Sequence, residues 1–165
     1  MIFPGIAAHV HDAYIAGAGL LKVAISGVIV VANLPDSSDL SKSELMRFFA
    51  EAAWYPTALL PSQGVLWQAI NEQSAIATFT DSSITLSLRF SFDANGFIET
   101  VFAAARGRLV DEQISYAPWQ GRFWNYTDRN GVQVPLEAEI SWLLPEGNKP
   151  YYRSFMTNLS YEFAK

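Results

Sequence analysis

Ile84-Thr85-Leu86-Ser87-Leu88-Arg89-Phe90-Ser91-Phe92, followed by Asp93-Ala94-Asn95-Gly96, decides the fold class. Apolar side chains occupy every second position, and Thr, Ser and Arg fill the positions between. Successive side chains of a strand point to opposite faces, so this pattern describes one buried face and one wet face, as in an antiparallel sheet. Residues 93–96 tolerate positive φ and supply a reversal. Residues 97–109 then return as the next strand.

The same pattern continues on both sides. Residues 65–70 and 75–80 flank a turn at Asn71-Glu72-Gln73-Ser74. Residues 119–126 and 132–144 are joined through Asp128-Arg129-Asn130-Gly131, where Asn-Gly is a strong hairpin signal. In the second of these, Val132, Val134, Leu136, Ala138, Ile140, Trp142 and Leu144 line one face, with Glu137 and Glu139 on the other. Pro135 cannot donate to a ladder and predicts an edge or a bulge. Leu144-Pro145-Glu146-Gly147-Asn148 turns the chain into a last strand over 151–163.

Residues 13–34 are apolar and long enough to span a bilayer. Leu21, Val23, Ile25, Gly27, Ile29 and Val31 nevertheless alternate with Lys22, Ala24 and Ser26, which reads as a buried strand. No transmembrane segment is therefore expected. Nor is a signal peptide, since nothing basic precedes the run and His9, His11 and Asp12 interrupt it. This strand should pair with the C-terminal part of the sheet or with its own neighbour.

One helix stands out. Ser41-Lys42-Ser43-Glu44 has capping-box spacing, and Leu45, Phe48, Phe49 and Ala52 recur at helical spacing opposite Lys42, Arg47 and Glu51. Pro56 stops it near Ala53 or Trp54. Many sequential antiparallel strands with one inserted helix make an α+β fold. The expected architecture is a curved, half-barrel-like meander with the helix packed on it. A closed β-barrel with a peripheral helix is the alternative.

At 165 residues the chain suits a single domain over 1–165. It has no cysteine, which excludes disulfide frameworks, thiol nucleophiles and Cys-ligated metals. The net charge of −5 argues against a nucleic-acid partner. Charged residues make up only 16%, well below the usual quarter, so some apolar surface should face a ligand or a subunit. Nothing in the composition assigns a compartment.

The search for chemistry returns mostly negatives: no phosphate loop, no dinucleotide fingerprint, no Gly-x-Ser-x-Gly elbow and no His-Glu-x-x-His. His9 and His11 share a face if they lie on a strand, and Glu137 or Glu139 is a conceivable third metal ligand. Two partly exposed histidines near a chain end is the plainer reading. Glu137 and Glu139 also have the separation of an acid–base pair. Arg106, Arg108 and Arg122 on neighbouring strands make ordinary ion pairs the simpler account. No metal, no cofactor and no catalytic residue is expected, and the domain reads as non-enzymatic.

The aromatic residues carry more. Trp54 and Tyr55 follow the helix; Trp119 and Arg122 stand near the start of a strand; Trp142 ends one strand, and Tyr151 and Arg153 start the last. Gathered at one rim, these seven would line an apolar pocket, with the arginines facing an anionic headgroup or stacking on rings.

Several strings resemble a known family. They are residues 44–61 around Phe48-Phe49-Ala50-Glu51-Ala52-Ala53-Trp54-Tyr55-Pro56, Pro118-Trp119-Gln120-Gly121-Arg122-Phe123, Val134-Pro135-Leu136-Glu137, Trp142-Leu143-Leu144-Pro145-Glu146-Gly147 and Pro150-Tyr151-Tyr152-Arg153. The chain is similar to the C-terminal part of a widespread bacterial family of uncharacterised proteins whose members carry extra sequence upstream. The resemblance implies no activity and no site residues. The leading expectation is a domain binding an apolar or amphipathic small molecule in a curved-sheet pocket. The alternative is an interaction module whose apolar surface forms a homodimer or packs on upstream sequence.

Overall fold

The structure, a computed structural model, describes residues 8–15, 17–25, 29–34, 37–110 and 113–161. The elements run β1 (Ala8–Ile15), β2 (Ala18–Ile25), β3 (Ile29–Leu34), α1 (Ser38–Ala50), three short 3-10 turns (Glu51–Ala53, Pro56–Leu59, Pro61–Gln63), then β4 (Leu66–Asn71), β5 (Ser74–Asp81), β6 (Ile84–Phe92), β7 (Ile98–Val110), β8 (Gln113–Arg129), β9 (Val132–Leu144) and β10 (Gly147–Phe155). The fold is α+β. Strands β1-β2-β3 form one small sheet, and β10-β9-β8-β7-β6-β5-β4 form a curved antiparallel meander. A barrel needs its end strands hydrogen-bonded to each other. Here β4 and β10 are opposite edges, so the sheet is open and the closed-barrel alternative is overturned.

The chain divides into two compact units, one of residues 1–48 with 80–86 and the other of 49–79 with 87–165. In the first, the predicted continuous strand over 21–31 is corrected. It is two strands, β2 and β3, antiparallel with Ile25 opposite Ile29; β2 pairs with β1 and β3, so of the two expected pairings the one with a neighbour holds and the one with the C-terminal strands does not. The predicted alternating face of this run, and the shared face of His9 and His11, lie outside the described side chains. No helix among the described residues is long and apolar enough to cross a membrane.

The cap of α1 is also corrected. Ser37 Oγ accepts from the Leu40 N–H at 3.1 Å, and the Ser41 N–H reaches Ser37 O at 2.8 Å. The polar run before Leu40 offers an earlier N-cap than the predicted box, and Leu40 is already buried. Ser41 therefore sits inside the helix, where its Oγ accepts from the Gly19 N–H at 2.9 Å. A Cβ on Gly19 would lie 2.8 Å from Ser41 backbone atoms, so only glycine permits this approach. Buried Glu44 pairs instead with Arg47 at 2.9 Å.

Leu45, Phe49 and Ala52 are buried as their spacing predicts, whereas Phe48 keeps 40% of its surface exposed and Met46 is buried. The buried sector thus extends past the predicted stripe. At the end of α1, Phe49 stacks on Phe79 with centroids 5.3 Å apart and meets Phe90 edge-on at 5.8 Å. Trp67 meets the same Phe90 at 5.2 Å. Leu86, Leu88 and Phe90 are buried while Thr85, Ser87 and Arg89 are exposed, the alternation that sets the fold class.

Two later strands differ in length from expectation. β8 begins at Gln113 rather than 119, carrying Pro118 on an exposed position within it. β10 ends at Phe155 rather than 163, after a bulge at Tyr151. Residues 156–161 run without regular structure, with the Met156 N–H on Leu136 O at 2.7 Å. Pro135 lies in β9 opposite Tyr126 of β8, beyond Glu137, the last β9 residue paired with β10.

Candidate functional site

Residues directly opposite in an antiparallel pair share a face, so the β7–β10 registers sort the seven predicted residues. Ala117, Trp119, Gly121 and Phe123 of β8 are buried on one face, opposite Trp142, Ile140 and Ala138 of β9. On β7, a bulge between Ala103 and Arg106 brings Arg106 opposite Ala117 and Arg108 opposite Ser115, on that same apolar face. Arg122, Trp124, Glu137, Glu139 and Arg153 lie on the reverse, polar face.

On the apolar face Trp119 and Trp142 are direct cross-strand partners. Trp119 is 2% exposed, and its indole N–H donates to Tyr151 Oη at 2.9 Å. Tyr151, pushed out at the β10 bulge, stacks on Trp142 at 5.8 Å and accepts from Arg106 at 3.2 Å. The Arg106 guanidinium lies 5.0 Å from the Trp119 ring and 5.9 Å from Trp142, and that of Arg108 lies 5.6 Å from Trp142. Arg106 and Arg108 were missed as members of this cluster. Their even spacing on a strand was the available signal, and the bulge that re-aims them was not.

Trp54 joins the same face lower down. It meets Phe123 edge-on at 5.4 Å, its N–H donates to Pro135 O at 2.8 Å, and its carbonyl accepts from Tyr161 Oη at 2.5 Å. Tyr55 is half-buried beside it. Trp54 thus ties the segment after the helix to the sheet.

The polar face has a second cluster. The guanidinium groups of Arg122 and Arg153 stand 5.8 and 5.3 Å from the Trp124 ring, and Arg153 pairs with Glu137 at 3.3 Å. The expected pairing of Arg106 and Arg108 with Glu137 or Glu139 is corrected, because these groups lie on opposite faces. Arg122 stands opposite Glu139 in register without an ion pair. The structure therefore gathers Trp119, Trp142 and Tyr151, places Trp54 further along that face with Tyr55 next to it in the chain, and sets Arg122 and Arg153 on the reverse face. Two depressions of the described surface are lined by none of the seven.

One of these depressions, about 330 Å³, lies where β7 and β8 part. Their ladder begins at Thr100 opposite Arg122; before it, the strands are bridged by Tyr126 Oη donating to Ile98 O at 2.7 Å. Burial of the phenol, and secondarily the charge of Asp93, push the Tyr126 pKa well above its ordinary 10.0. Among the described residues no group of three or more His, Asp or Glu is placed to hold a metal.

No curated protein and no solved structure matches the chain. The model of a family of unknown function, DUF6920, matches residues 1–161. The chain, with its open sheet and its Trp119–Trp142–Tyr151 cluster, belongs to that family.

Proposed function

We propose that the protein is a non-enzymatic binding module whose apolar β7–β10 face takes an amphipathic molecule with an anionic head. The observation that carries this reading is Arg108. It is half-buried against Trp142 and, among the described residues, makes no ion pair. A guanidinium held on an aromatic ring presents its N–H groups edgewise, which suits phosphate or carboxylate. Ile140 and Trp142 of β9, with Tyr152 opposite Ile140, continue as an apolar strip for the tail. Tyr151 and Tyr152 are more than half exposed, so the strip is reachable.

Titration with dodecyl phosphate below its micellar concentration, followed by tryptophan fluorescence, tests this. Saturable quenching that R108E abolishes and dodecyltrimethylammonium does not reproduce is the expected result. An equal response to the cationic detergent would sink the idea.

A second reading, self-association, is favoured by β4. This edge strand, Leu66-Trp67-Gln68-Ala69-Ile70-Asn71, carries no charge, and Leu66 is 71% exposed. β10, the other edge, carries Lys149, Pro150, Arg153 and a bulge. Light scattering of wild type and L66K distinguishes it: a dimer that L66K dissolves supports the second reading.

A further inference from the structure

We infer that the parting of β7 and β8 is a binding site for a neutral saccharide chain. It is independent of the Arg108-bearing strip proposed above, and of that apolar face only Phe123 reaches its wall.

Two backbone irregularities on adjacent strands converge on this place. On β7, Ser91 stands opposite Thr100 and Phe92 opposite Ile98, which leaves Glu99 as the extra residue of a bulge. On β8, Asn125 has φ +58°, a left-handed conformation in the middle of a strand. Bulges re-aim side chains next to functional sites, and strained backbone clusters there. Both residues line the depression of about 330 Å³. Glu99 also forms the wall of an adjoining depression of about 480 Å³, bounded by Asn71, Glu72, Gln73, Ser74 and Ser91.

The chemistry of the walls selects the ligand. No Lys or Arg lines either depression, so anions are disfavoured. Carboxylates are present at Glu72, Asp93 and Glu99, but so are side-chain amides at Asn71, Gln73, Asn95 and Asn125 and hydroxyls at Ser74 and Ser91. A cation could use only the oxygens of those amides and hydroxyls, whereas a polyol, which both donates and accepts at every hydroxyl, can use their N–H and O–H donors as well. Asp93 is already fixed, its Oδ1 accepting from the Asn95 and Phe97 N–H groups at 2.9 Å each. Aromatic surface completes the set in Phe97, stacked on Tyr126 at 4.7 Å; Trp124 also lines the wall, with Arg122 and Arg153 standing over its ring. Rings of this kind take the C–H faces of sugars while planar amides and carboxylates take the hydroxyls. Two depressions meeting at Glu99 suit two or more linked residues rather than one ring.

The test is an amide-resolved NMR titration of the whole chain with cellobiose, maltose and N,N′-diacetylchitobiose, with putrescine as the cationic comparison. At least one disaccharide is expected to shift the Glu99 and Asn125 amides and the Trp124 indole N–H in a saturable way. N125G, which keeps the positive φ and removes the amide, should weaken that binding about tenfold, and E99Q should retain it. If no disaccharide shifts these resonances, or N125G binds as wild type does, the inference is wrong. It is equally wrong if putrescine produces the same shifts and E99Q abolishes them, which would make this a cation site.

Discussion

Trp119 and Trp124 lie five residues apart on one strand, and each meets arginine, yet the two clusters are different objects. Trp119 is buried on the apolar face, its indole N–H held by Tyr151 and its ring covered by Arg106. Trp124 lies on the polar face between Arg122 and Arg153, and the Arg153 side chain is 64% exposed. The same residue types serve structure on one face and a solvated surface on the other. Burial, rather than the pairing itself, decides what each contact contributes.

The largest expected effect breaks or confirms that contrast directly. Trp119→Ala should cost about 3–5 kcal/mol of stability, and Trp124→Ala about 1 kcal/mol or less, both read by urea denaturation. Equal losses would mean that the two faces are assigned wrongly. Next come the hydrogen bonds beneath the apolar face. Tyr151→Phe leaves the Trp119 N–H without its acceptor, and Trp54→Phe leaves Pro135 O without its donor. Each should cost about 1–3 kcal/mol, because the orphaned group remains buried.

Tyr126 sharpens the comparison by pH. Its folded pKa is raised, first by burial and then by Asp93, so ionisation is resisted in the native state. Its contribution is therefore whole below the unfolded value of 10.0 and is lost as pH rises beyond it. Stability measured on either side of that pH should fall less in Tyr126→Phe than in wild type. The smallest effect is the polar-face ion pair. A double-mutant cycle on Glu137 and Arg153 should return about 0–1 kcal/mol, shrinking with added salt.

Much of this was legible from alternation alone. Residues 84–92 gave their strand and its buried face, and the open meander followed from turn after turn at short spacing. The odd and even numbers of Trp119 and Arg122 already set them on opposite faces of one strand; for Trp142 and Arg153, on different strands, only the register decides. Sequence could not supply the bulges at Arg106, Glu99 and Tyr151, because a bulge depends on which residues the neighbouring strand presents. Nor could it place the cap at Ser37 over Ser41, since both offer the same hydroxyl chemistry and only the docking of Gly19 on Ser41 separates them. The break of the 21–31 run into two strands has one sequence signal, the turn dipeptide Ser26-Gly27, which the apolar alternation on either side outweighs.

The central claim is that the apolar face of β7–β10 holds an anionic amphiphile through Arg108. Native mass spectra of the purified protein, before and after organic extraction and alongside R108E, test it most directly. The account predicts added mass on the wild type that extraction removes and R108E never carries. Adduct-free spectra of the wild type even after incubation with dodecyl phosphate, or an adduct that R108E retains in full, would contradict it.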